Sequence, residues 1–171
     1  MTARSAGTAV VKIGGGLLST SGALERVCRA IADAARVHAL VIVPGGGPFA
    51  DAVRKFDANV GLSAVGAHWM AILAQDQYAH VLAERVPDAV MVWGREGIAD
   101  AHAHDQVPVL APSRWMFMAD VLPHSWDATS DSVAAFVAGA IDARLLVLVK
   151  PISGSLEAMT DRSFRAVCPV G

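Results

Sequence analysis

The segment "VVKIGGGLL", Val10 to Leu18, sets a lysine inside an apolar run and follows it with three glycines. A second triplet stands in "VIVPGGGPFADAVRKFD", where Gly45, Gly46 and Gly47 again follow a β-branched run. Backbones without Cβ atoms can approach an anion closely and take the positive φ angles that turn successive N–H groups toward it. One triplet alone reads as a tight turn. Two at the ends of successive strands, the first preceded by Lys12, favour a phosphate cradle built from Gly14, Gly15, Gly16 and Gly45, Gly46, Gly47. Neither triplet is the G-x-G-x-x-G dinucleotide fingerprint or the G-x-x-x-x-G-K-[ST] loop. A third piece, "HSWDATSDSVAAFVA", crowds Asp127, Thr129 and Asp131 at the start of an apolar helix. Capping explains one aspartate and leaves the other to hold a lysine or a metal-bound phosphate. The only lysines among 14 basic residues are Lys12, Lys55 and Lys150, and two of the three follow short apolar runs.

Positioning these groups is the task of five apolar runs, 9–13, 39–43, 89–93, 107–111 and 145–149, each bounded by Gly, Pro or polar residues. They read as buried strands. Helical periods lie between them. Leu24, Val27, Cys28, Ile31 and Ala35 share one face, as do Phe49, Ala52, Val53 and Phe56, and a longer helix from Ser63 to Val86 carries Ile72, Leu73 and Leu82. Such alternation predicts an α/β fold, a three-layer αβα sandwich with a mostly parallel sheet and right-handed crossovers. In that architecture ligands sit beyond the carboxyl ends of the strands, where helix N-termini face outward. The segment 94–106 reads as an irregular polar insert, with His102 and His104 on a solvated loop. The chain loses its periodicity after Pro151.

At 171 residues the chain is expected to form one domain over 1–171. No apolar run reaches the length of a membrane span, and the N-terminal segment lacks the apolar stretch of a secretory signal, so a cytoplasmic protein without a membrane partner is expected. A formal net charge of −2 without a basic block argues against nucleic acid. Cys28 and Cys168 fit no metal or redox spacing and read as reduced thiols.

The motifs "VVKIGGGLL", "VIVPGGGPFADAVRKFD", "HSWDATSDSVAAFVA" and "LLVLVKPISG" stand in the order and approximate spacing of the amino acid kinase superfamily, which the chain resembles from about residue 8 to 154. Within it, "GGGPFADAVRKFD" and "HSWDATSDS" are most similar to the kinases of methanofuran biosynthesis, which implies conversion of an aminomethylfuran methyl phosphate to its diphosphate with ATP and Mg²⁺. The resemblance makes Lys12 the bridge between donor and acceptor phosphates. Gly14 to Gly16 become the loop over the nucleotide, and Gly45 to Gly47 the loop facing the transferred group. Asp131 becomes the organiser of the catalytic lysines. Acetylglutamate kinases carry arginine in a "GLR" segment where this chain has Ser63, so an amino-acid acceptor is disfavoured. Isopentenyl phosphate kinases place a histidine where this chain has Asp51. Candidate acceptor contacts are Arg54, His68 and His124, and Trp126 either stacks on a flat acceptor or fills a core.

Kinases of this family continue beyond the strand at 145–149, and the present sequence matches only to about 154, leaving 155–171 as an irregular tail. Two expectations follow. Either a shortened nucleotide half still holds ATP, with Lys150 standing in for a second catalytic lysine, or the chain is a noncatalytic ligand-binding or assembly subunit. In the first case it is a kinase of a small phosphorylated metabolite and a homodimer.

Overall fold

The computed structural model describes residues 5–150, so the 155–171 tail and Cys168 lie outside the described residues. Five strands, β1 (Ser5–Ile13), β2 (His38–Pro44), β3 (Ala89–Val92), β4 (Val107–Leu110) and β5 (Leu145–Val149), form one parallel sheet in the order β3-β4-β2-β1-β5. The helices are α1 (Ala23–Ala35), α2 (Gly47–Val60), α3 (Ala64–Arg85), α4 (Arg95–Ala103), α5 (Ser113–Ala119) and α6 (Ser130–Ala140). Strand alternation splits the core in two. Val11, Ile13, Leu40 and Ile42 pack with α1 and the Tyr78–Leu82 turn of α3 on one face. Val10, Val41 and Val43 pack with α4, α5 and α6 on the other, joined by Ile72 of α3. This is the αβα layering expected of buried parallel strands.

Register positions the site. Ile13 pairs with Pro44 on one side and Val149 on the other. The next residues, Gly14, Gly45 and Lys150, therefore leave the sheet at one carboxyl edge.

Four features depart from the sequence reading. The segment 94–106 is no irregular insert: α4 starts there with Glu96 in its first turn and turns Ile98 and Ala101 inward. Two apolar residues in a polar stretch are too few to show a period, but they suffice against a sheet. His102 sits on this helix, its Nε2 2.9 Å from the Leu40 carbonyl oxygen. The apolar stripe of α2 is only partly covered: Phe49 packs against the core, whereas Phe56 and Val60 are exposed, and no residue of this helix is fully buried. Leu73 likewise faces outward, although Ile72 and Leu82 are buried. Finally, β5 is the last strand of the sheet among the described residues, with Leu145 50% and Val147 37% exposed. Its α6 side is covered through Leu146. On the opposite face α1 lies over β2 instead.

Candidate active site

Lys12 lies on β1 one residue before the edge, and its ammonium reaches Asp131 Oδ1 at 2.7 Å. Lys150, directly after β5, reaches Asp131 Oδ2 at 2.5 Å. Lys12 is 6% and Asp131 3% exposed, and the Lys150 side chain is only slightly more open. One buried carboxylate thus fixes two ammonium groups brought in by neighbouring strands. Burying such charges is costly unless they pair this closely, and the set carries a surplus of one positive charge. Asp131 owes its place to the start of α6, where Thr129 is the N-cap and its Oγ1 accepts the Asp131 N–H at 3.3 Å. The cap is therefore the threonine and neither aspartate. Asp127 is exposed, and its N–H donates to Ser125 Oγ.

These groups face a cleft of about 750 Å³. Gly15, Gly16, Gly46 and Gly47 line it, whereas Gly14 and Gly45 do not. The latter two extend the ladder: Gly14 N–H donates to Val149 O at 3.0 Å and Gly45 N–H to Ile13 O at 2.8 Å. The two triplets also pack on each other. A Cβ on Gly15 would lie 2.1 Å from Gly47 Cα, and Gly47 itself has φ +53°. Glycine is thus required for the approach of loop to loop, and the same approach brings two sets of backbone groups to one cleft.

The rest of the cleft is lined from α2, α3 and the 122–130 segment. Arg54 and His68 line the wall. His124 does not; it stacks on His68 with ring centroids 4.4 Å apart and places Nε2 2.7 Å from Asp120 Oδ1. Trp69 meets His68 edge-on. Burial, with His124 adding to it and Asp120 opposing, holds the His68 pKa below its ordinary value. His68 is thus kept as a neutral imidazole in the wall, able to donate from one nitrogen and accept at the other.

Sequence reasoning missed Gln75 and the wall residues Ser19, Ser125 and Ser130. Gln75 is 4% exposed, and its Oε1 has no hydrogen-bond partner among the described residues. Its spacing from His68 and Ile72 on α3 is the one signal that could have found it. Ser63, where acetylglutamate kinases carry arginine, serves as N-cap of α3 and accepts the Gly66 N–H at 3.1 Å.

Parallel strands thus end in facing glycine loops beside a Lys–Asp–Lys cluster. The chain matches the Amino acid kinase family over residues 7–158, and it belongs to that family. Over 149 residues it is 30% identical to the [5-(aminomethyl)furan-3-yl]methyl phosphate kinase of Methanocaldococcus jannaschii. That alignment takes in 85% of this chain but 66% of the relative, so the chain spans just under two thirds of its length. In fold it is similar to the uridylate kinase of Archaeoglobus fulgidus, with a TM-score of 0.66 and 21% identity over 91% of this chain and 69% of that one. The UMP kinase of Ureaplasma parvum gives 0.69 and 16% over 95% and 84%.

Proposed function

We propose that this chain is an ATP-dependent phosphotransferase whose acceptor is a small phosphate ester of the aminomethylfuran methyl phosphate type, giving a diphosphate. The observation that carries the reading is the pair of ammonium groups on buried Asp131 at the floor of a glycine-walled cleft. The acceptor class follows the 30%-identical relative.

The residues suit the chemistry. ATP supplies the transferred phosphoryl group, and Gly15, Gly16 and Lys150 would hold its phosphates. The loops carry no side chains of their own at these glycines, so their N–H groups need no clearance around a Cβ to reach an anion. Gly46, Gly47, Lys12 and Arg54 would hold the acceptor phosphate, with His68 against the rest of the molecule. An acceptor phosphate oxygen is already anionic, so it forms the new P–O bond, as the bond to ADP breaks, without losing a proton to a base. What the protein must supply is alignment of two anions and cancellation of their repulsion, and Lys12 would do both. No three His, Cys, Asp or Glu side chains gather as a metal centre among the described residues. Mg²⁺ in this reading arrives on the nucleotide phosphates. The exposed Leu73, Phe117 and Met118 support a homodimer.

The second reading, a noncatalytic binding or assembly subunit, is favoured by the exposed apolar side chains of Leu145 and Val147 on β5. Calorimetric titration with Mg²⁺-ATP separates the two. The kinase reading expects binding that Lys150→Ala weakens by about 1.5 to 3 kcal/mol, the range for a hydrogen bond to a charged group. No binding by the unmodified protein would favour the subunit.

A further inference from the structure

Trp126 lines the cleft with its indole held in a fixed plane. Its Nε1–H donates to Asp57 Oδ2 at 2.7 Å, linking the 122–130 segment to α2 across 69 residues of sequence. The other oxygen of Asp57 accepts the Leu62 N–H at 2.9 Å, so the carboxylate is itself anchored at the end of α2. One turn earlier, Arg54 lays its guanidinium over one face of the indole, 4.6 Å from the ring centre, so a stacked ligand would take the opposite face. A tryptophan that merely fills space joins a core, as Trp69 and Trp115 do against the α4–α6 side of the sheet. Trp126 is only half-buried and belongs to neither core cluster, yet an ordered carboxylate and a cation are both committed to it.

From this juxtaposition we infer that Trp126 is a specificity-determining residue that selects a planar, unsaturated ring in the phosphate acceptor. The inference rests on the acceptor class proposed above. An aromatic ring whose plane is already fixed loses little side-chain freedom when a flat ligand stacks on it. A saturated ring of equal size is puckered and offers C–H groups in place of a π face, so it stacks less closely.

The test compares [5-(aminomethyl)furan-3-yl]methyl phosphate with its fully saturated oxolane analogue, titrated calorimetrically into the full chain. The unmodified protein is expected to prefer the furan ester by about tenfold, the scale of one aromatic stacking contact. Trp126→Leu should bring the ratio of the two Kd values to near one, and Trp126→Phe should retain most of the preference. Asp57→Ala, which frees the indole edge, should lower the ratio without abolishing it. An unchanged ratio in Trp126→Leu, or no preference in the unmodified protein, would overturn the inference while leaving the proposed function standing. Failure of the unmodified protein to bind either ester would remove that function, and the inference with it.

Discussion

At the scale of single residues the account turns on Lys12. Lys12→Met keeps the volume of the stem, and Asp131 retains Lys150 at 2.5 Å, so the fold should survive. Turnover should fall about a hundredfold or more, the scale of one lost preorganised donor, as measured by ADP release under saturating substrates. Lys12→Arg should rescue poorly, since a planar fork does not occupy the place of an ammonium. An unchanged rate in Lys12→Met would end its assignment.

His68 offers a separate test of burial. Its folded pKa lies below the ordinary value of 6.5. Between the folded pKa and 6.5 the unfolded chain binds more protons there than the folded one, so this residue's contribution to stability is complete above 6.5 and is lost as pH falls below it. The His68→Asn variant should therefore lose less stability than the parent between pH 7.5 and 5.5 in urea unfolding. Identical losses in the two proteins would show that His68 is not held neutral.

Elements carry the next level, where the loops and caps decide whether the residues meet. Gly15→Ala places a methyl group 2.1 Å from Gly47 Cα, and neither backbone can yield alone. The substitution should destabilise by about 1 to 3 kcal/mol, the usual cost of overpacking, in denaturant unfolding. Gly139→Ala, in open space late in α6, should not. Thr129→Ala should cost about 1 kcal/mol through the lost cap of α6, and Thr129→Ser should restore it.

Much of this level was legible beforehand. The inner strands β1, β2 and β4 showed as apolar runs because they are covered on both faces, and α3 showed because it runs long enough to display its period. Less legible were α4, with two inward residues, and α5, whose single buried residue is Met116. The exposure of Phe56, Val60 and Leu145 was hidden for another reason. An apolar stripe reports the ability to be covered, and whether a neighbour covers it depends on where the other elements pack.

For the molecule as a whole, the site is a product of topology. Lys12, the two glycine loops and Lys150 come together because β1 pairs with both β2 and β5 in parallel, and Asp131 arrives from the helix that leads into β5. The motifs were visible as separate pieces. Their meeting on one carboxylate was not, since no local pattern encodes which strands are neighbours. Gln75 stayed hidden for the same reason. The function proposed for this arrangement is the transfer of a phosphoryl group from ATP onto a phosphate ester. Phosphorus NMR of the protein with Mg²⁺-ATP and [5-(aminomethyl)furan-3-yl]methyl phosphate measures that transfer directly. The account predicts that the monoester resonance gives way to the paired signals of a diphosphate ester as ATP becomes ADP, and that Lys12→Met slows this conversion about a hundredfold. A monoester signal that persists unchanged while the protein remains folded and ATP remains intact would contradict it.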